Sequence, residues 1–140
     1  MNVREIMSEP RVCVAPETHI VTAAGMMADH KLGALPVCEQ GRLVGIITDR
    51  DIVVRYLARG SVHEGRLVVH HMTRDPVTIA PDEPLERAET VMTQHQIRRV
   101  PVCDEGRLVG MITHADLARR ASNEEARALV EAISTAQPMP

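Results

Sequence analysis

The sequence predicts an α/β (α+β) fold made of two copies of one β-α-β-β-α unit, packed about a pseudo-two-fold axis, with an extra C-terminal helix. Three observations predict it: an internal repeat, a shared strand-and-helix pattern inside each copy, and an apolar stripe after the second copy. Shifted by 65 positions, Met7–Ile52 falls on Met72–Leu117 without a gap, and 18 of those 46 positions are identical. Chance does not produce that agreement, so the chain holds one supersecondary unit twice. The longest match sets Gly41–Thr48 against Gly106–Thr113, and Pro36-Val37-Cys38 matches Pro101-Val102-Cys103.

Each copy opens with a short β-branched segment, Val12–Val14 or Val77–Ile79, stopped by a proline that cannot donate to a ladder. A helical spacing of apolar residues follows at Ile20, Ala23, Ala24 and Met27, and at Leu85, Ala88, Val91 and Met92. Two strands come next, Leu35–Cys38 and Arg42–Thr48 in the first copy. They are joined by Glu39-Gln40-Gly41, or by Asp104-Glu105-Gly106 in the second copy, where the glycine suits a hairpin that needs positive φ. A second helix starts near Thr48 or Thr113. The first two strands of each unit, separated by a helix, are expected to lie parallel. One such sheet is too small to bury both faces, so the copies are expected to pack together.

The boundaries read as 1–60 for repeat one, 66–121 for repeat two and 122–140 for a C-terminal helix and tail, with Gly60–Gly65 as linker. Ser122 or Asn123 reads as the N-cap of a helix running to Ala136, with Ala126, Leu129, Val130 and Ile133 as its stripe.

Composition narrows the function. Tyr56 is the one aromatic residue, so the core is aliphatic and a base-stacking platform for single strands is excluded. A net charge of -3 with Arg and Glu interspersed gives no basic stripe for a phosphate backbone, which argues against nucleic acid. No apolar run approaches the ~20 residues of a membrane span, and no signal peptide opens the chain, so the expectation is a cytoplasmic protein with no membrane partner. No nucleophile elbow, phosphate loop or metalloprotease helix is present; no catalytic residue, required cofactor or metal site is expected. His70-His71 are adjacent and cannot present both rings on one helix face. His30 and His95 are repeat equivalents at a helix end, where capping is the plain account.

Gly45-Ile46-Ile47-Thr48-Asp49-Arg50-Asp51 and Gly110-Met111-Ile112-Thr113-His114-Ala115-Asp116 resemble the signature of the cystathionine-β-synthase (CBS) domain: glycine, two apolar residues, Thr or Ser, two variable residues, Asp. The upstream Leu-Pro-Val and Val-Pro-Val are similar to that family too. The resemblance spans roughly residues 1–121. It implies a paired-repeat module, a cleft between repeats that binds AMP, ATP, NAD or S-adenosylmethionine, and a homodimer that passes its ligand state to a downstream protein.

Within that resemblance, Asp51 and Asp116 are the first candidates, because an ionised carboxylate only accepts hydrogen bonds and can take both hydroxyls of a ribose diol. Thr48 and Thr113 stand at helix starts, where a hydroxyl and free N–H groups suit phosphate. Thr-x-x-Asp is also close to a helix capping box, and both roles can coexist. Arg98 and Arg99 replace Gly33 and Ala34 of the first copy and suit a phosphate tail through charge-assisted bonds, so the two clefts are expected to be unequal, with Asp116 serving phosphorylated ligands. By family analogy the adenine lies near Val12, Leu32, Val77 and Ile97, with Gly33 beside it.

Cys13 and Cys38 lie on strands expected to be adjacent, within the ~4.4–6.8 Å Cα reach of a disulfide. Cys103 matches Cys38, but Thr78 stands where its mate would be. The alternative to a nucleotide sensor is therefore a redox or stress-response protein using a Cys13–Cys38 bond, against a plain reading of two small buried thiols.

Overall fold

The computed structural model describes residues 1–10, 12–60 and 65–135. The linker therefore lies outside the described residues at 61–64, and so does Ala136. In chain order the elements are α1 (Ile20–His30), β1 (Ala34–Glu39), β2 (Arg42–Thr48) and α2, which starts as Asp49–Asp51 and continues as a π-helix over Ile52–Leu57. Then come β3 (Thr73–Arg74), α3 (Leu85–His95), β4 (Arg99–Asp104), β5 (Arg107–Thr113) and α4 (His114–Thr135). Short 3-10 turns at Val3–Glu5 and Val68–His70 open the two repeats.

β1–β2 and β4–β5 are antiparallel hairpins, joined edge to edge by β2 and β5 into one sheet of order β1-β2-β5-β4, with β3 pairing β2. The hairpin loops are two residues long. Gln40 and Gly41 have φ of 52° and 79°, and Glu105 and Gly106 have 51° and 83°, the double positive φ whose twist matches flanking strands. At the pseudo-two-fold axis the Leu43 N–H donates to the Gly106 carbonyl and the Leu108 N–H to the Gly41 carbonyl, both at 3.1 Å.

The expected leading strands shrink to single parallel bridges, Val14 with Val37 and Ile79 with Val102. The direction is as expected and the length is not. Cys38 and Cys103 donate back to Val14 and Ile79 at 2.9 Å. Pro16 and Pro81, two residues after each bridge, carry no N–H with which a ladder could go on.

Two aliphatic cores follow, one per repeat, and each is completed by the other repeat's leader. Val68 and Met72, at the start of repeat two, are buried with Ile20, Ala23, Met27, Leu35 and Ile47 of repeat one. Val3, at the start of repeat one, is buried with Leu85, Ala88, Val91, Val100 and Ile112 of repeat two. The exchange continues on the sheet: β3 pairs with β2, and the Ser8 N–H and carbonyl pair with Met111 of β5, both at 2.9 Å. The signature glycines make this crossing fit. A Cβ on Gly45 would stand 2.6 Å from Met72 Sδ and 2.9 Å from the Thr73 carbonyl, and one on Gly110 would stand 2.4 Å from Met7 Sδ.

The C-terminal segment is helical, but it does not begin anew. α4 runs unbroken from His114 to Thr135, so Ser122 and Asn123 are interior positions and not N-caps. Ser and Asn are only weakly unfavourable inside a helix, and Arg120 pairs with Glu124 across that turn. Among the described residues no helix is long and apolar enough to cross a membrane.

Candidate functional site

The site begins with the way α1 ends. Lys31 takes the left-handed conformation (φ 55°) and its N–H returns to the Ala28 carbonyl, while the Leu32 N–H reaches the Met27 carbonyl at 2.9 Å. That is the six-to-one and five-to-two pattern that closes a helix and sends the next apolar residue back against it. After α3 the Ile97 N–H likewise reaches the Met92 carbonyl, at 3.0 Å, but the left-handed Gln96 (φ 54°) donates to that same carbonyl. The capping residue at each end is thus Lys31 or Gln96, not the preceding His30 or His95. His30 instead turns toward open space.

That space is a cleft of ≈ 410 Å³ between the repeats. The leader contributes Ser8, Glu9, Pro10 and Val12; the α1–β1 junction contributes His30, Lys31, Leu32, Ala34 and Pro36; the second repeat contributes Met111, Thr113 and Asp116. Its size falls within the ~300–1,000 Å³ of small-molecule sites, and its walls are mainly apolar with a few convergent polar groups. Val12, Leu32, Thr113 and Asp116 are thereby brought together as one set. Ser8, Glu9, His30, Lys31 and Met111 were not candidates, because their inclusion follows from the exchanged leader and from the left-handed turn at Lys31.

Asp116 is buried, and its carboxylate closes the capping box: Oδ2 accepts from the Thr113 N–H at 2.9 Å, and Thr113 Oγ1 accepts from the Asp116 N–H at 3.1 Å. Asp51 does the same with Thr48, at 2.9 and 3.0 Å. The backbone N–H groups of Thr48 and Thr113 are therefore already used, which corrects the expectation that they stand free for phosphate; the hydroxyl protons remain. Each Oδ1 faces an arginine on the next turn, Arg119 for Asp116 and Arg55, at 3.6 Å, for Asp51. Both arginines are largely exposed, while the carboxylates they face are mostly buried. Oδ1 is the oxygen that a ribose hydroxyl can claim.

The asymmetry is built crosswise, opposite to the expected pairing within one copy. Ala34, not an arginine, shares the cleft of Asp116. Arg99 reaches repeat one, where a Cβ on Gly33 would stand 3.5 Å from its Nη2 and 3.3 Å from Asp49 Oδ2. The 65-residue shift carries Val12, Leu32, Ala34, Thr113 and Asp116 onto Val77, Ile97, Arg99, Thr48 and Asp51. Arg99 therefore belongs with Asp51. Arg98 accepts the His114 N–H on its carbonyl at 2.7 Å, which holds the start of β4 against the start of α4.

Cys13, Cys38 and Cys103 are free thiols. Burial pushes the Cys38 thiol up to about 12, helped by the neighbouring Cys13 thiol and by Cys103. Cys13 and Cys38 are neighbours as expected. Cys103, expected to stand alone, is near enough to Cys38 to be felt by it, because the two hairpins meet at the pseudo-two-fold axis.

The CBS domain family model matches residues 3–58 and 66–123. The chain belongs to the CBS domain family. It is similar to the CBS domain-containing protein YhcV of Bacillus subtilis, 41% identical over 135 residues that cover 95% of each chain. Among solved structures it resembles the CBS domain pair of protein MJ0100 in complex with 5-methylthioadenosine and S-adenosyl-L-methionine. That likeness has a TM-score of 0.80 at 32% identity and covers 89% of this chain and 98% of the other. It also resembles CBSX2 in complex with AMP, with a TM-score of 0.78 at 28% identity, covering 89% and 98%. This chain is a CBS pair, with both repeats matched by the family model.

Proposed function

We propose that the protein is a regulatory module, not an enzyme, that binds an adenine nucleotide between its CBS repeats and signals the ligand state to a partner protein. The observation that carries this reading is the open cleft in which Asp116 of one repeat faces Val12 and Leu32 of the other. Apolar walls suit an adenine ring, and a carboxylate with one oxygen held only by an exposed arginine suits a ribose diol. The adenosine compounds bound by the MJ0100 pair and by CBSX2 support the ligand class. The side of Asp51, with Arg99 at the position of Ala34, suits phosphorylated members of that class.

Thermal shift with AMP, ATP, NAD and S-adenosylmethionine tests the reading. A ligand at 100 times its dissociation constant adds ~2.7 kcal/mol to stability. Flat responses across the panel, with the thiols reduced and oxidised, overturn it.

One observation favours a second reading, a redox role without nucleotide: the neighbouring free thiols of Cys13 and Cys38. A peroxide would oxidise the exposed Cys13 to a sulfenic acid, and the Cys38 thiol would then condense with it, forming the disulfide and releasing water. Non-reducing mass spectrometry after thiol blocking decides it. Both cysteines carrying the blocking group after peroxide treatment would remove this reading.

A further inference from the structure

Arg55 joins the carboxylate of Asp51 to the segment that opens repeat two. Its Nε stands 3.6 Å from Asp51 Oδ1, and its Nη1 donates to the carbonyls of His71 at 3.2 Å and Met72 at 3.4 Å. One guanidinium thus bridges an oxygen of the candidate site and two carbonyls of the exchanged leader. The carboxylate contact is longer than a hydrogen bond. It therefore steers the guanidinium by charge, and it gives way to a hydroxyl donor that comes closer.

What Arg55 holds is the stretch Gly65–Met72, which follows the linker between the repeats. Val68 and Met72 are buried in the first core with Ile52 and Tyr56 of α2. The Val68 and Val69 N–H groups donate to the Thr18 and Pro16 carbonyls at 2.8 and 3.0 Å. His71 meets Tyr56 edge to face, with ring centres 5.2 Å apart. Its Nε2 donates to the Gly65 carbonyl at 2.9 Å, while its Nδ1 is buried with no partner among the described residues. Among the described residues, the bonds from Arg55 are the only hydrogen bonds between α2 and this stretch.

The second repeat is built differently. The 65-residue shift carries Arg55 onto Arg120, which pairs with Glu124 on its own helix, and Asp116 is faced instead by Arg119. Neither arginine is hydrogen-bonded to the leader of repeat one. The winding differs too: α2 is π-helical over Ile52–Leu57, whereas α4 is α-helical throughout, and π-turns occur often at functional sites.

We infer that Arg55 is a positioning residue that couples the occupancy of Asp51 to the docking of Gly65–Met72: a hydroxyl donor that takes Oδ1 frees Arg55, and the stretch loosens. The inference rests on the nucleotide reading for the identity of that donor, whereas the Asp51–Arg55 coupling belongs to the chain and operates without ligand. In one state the carboxylate holds Arg55 and the stretch is docked. In the other the ligand holds the carboxylate and the stretch opens more often. Coupling of this kind is reciprocal, so whatever tightens the stretch lowers the affinity of that cleft by the same factor.

Hydrogen–deuterium exchange over residues 65–74 tests it, with circular dichroism to establish that each variant is folded. Without ligand, R55A is expected to exchange about tenfold faster than the wild type, the fold-change for losing charge-assisted bonds. D51N keeps an amide oxygen for the cap but loses the charge, and is expected to exchange severalfold faster. D51N/R55A is expected to be no faster than R55A, because the carboxylate acts through the arginine. R120A is expected to match the wild type. Saturating AMP is expected to speed exchange in the wild type and not in R55A. A folded R55A that exchanges like the wild type overturns the proposal, and so does a double variant in which the two effects add. AMP that binds in isothermal titration yet leaves exchange over 65–74 unchanged or slower overturns it as well. AMP that gives no heat overturns the nucleotide reading instead, and the ligand-free comparison still decides the coupling. If R55A unfolds, R55Q replaces it and is read the same way.

Discussion

Arg99 of the second repeat lies against Gly33 of the first, so that a Cβ on Gly33 would stand 3.5 Å from its Nη2. Gly33 and Ala34 are the repeat equivalents of Arg98 and Arg99, so the two repeats differ in charge at the start of this hairpin. Arg99→Ala is therefore expected to weaken AMP and ATP binding about tenfold or more, the loss of a charge-assisted bond worth ~1.5–3 kcal/mol, while leaving adenosine affinity unchanged. Isothermal titration with the nucleotide and the nucleoside checks it; equal losses for both would refute the phosphate role.

The capping role of Asp116 and its proposed ligand role can be separated by mutation. Thr113→Ala removes the hydroxyl that accepts the Asp116 N–H and is expected to cost ~1 kcal/mol of stability, with ligand affinity kept. Asp116→Ala is expected to cost a similar amount and also to abolish the ligand-induced thermal shift of its cleft. If both variants lose binding alike, the carboxylate acts only as a cap.

Arg119 occupies the free oxygen of Asp116. Arg119→Ala is expected to change stability by less than ~1 kcal/mol, since the arginine is exposed, and to leave affinity for adenosine compounds equal or higher. A marked loss of affinity would mean that Arg119 contacts the ligand itself.

The signature glycines are set by crowding. Gly45→Ala puts a methyl 2.9 Å from the Thr73 carbonyl, a backbone atom, whereas Gly110→Ala meets chiefly the flexible Met7 side chain at 2.4 and 3.0 Å. Urea denaturation is expected to show ~1–3 kcal/mol of destabilisation for Gly45→Ala and less for Gly110→Ala. The reverse order would show that the two leader crossings are not built alike.

Cys38 gives a pH dependence. Its thiol is pushed up from 9.0 to about 12, chiefly by burial. In the unfolded chain the proton leaves near 9.0, so this stabilising contribution is full below pH 9 and is lost as pH rises from 9 toward 12. Native alkylation at pH 8 is expected to label exposed Cys13 quickly and Cys38 slowly, and the Cys38→Ser variant is expected to flatten the loss of stability above pH 9. Equal labelling rates would contradict the buried, protonated thiol.

Much of this was legible in the residues. The 65-residue repeat, the β-hairpin turns at Gly41 and Gly106, the helices over Ile20–His30 and Leu85–His95, and the Thr-Asp capping boxes are local: each depends on neighbours within a few positions, which spacing records. The neighbouring pair Cys13 and Cys38 was legible because one parallel pairing places both.

Other features depend on which segments meet across the chain. Ser8 beside Met111, Val3 in the core of the second repeat, Arg99 beside Gly33 and Cys103 near Cys38 all follow from the exchange of leaders and the edge-to-edge sheet. Spacing within a repeat could not distinguish that exchange from two self-contained units. The continuity of α4 through Ser122 was hidden for a different reason: a good N-cap residue inside a helix costs little, so local preference did not decide the boundary. The sequence alone determined a duplicated unit and its capped helices, because short-range sterics and hydrogen bonding are written into adjacent residues. Only the tertiary structure decided which repeat supplies which wall of each cleft, because that is set by burying each leader where the other repeat leaves room.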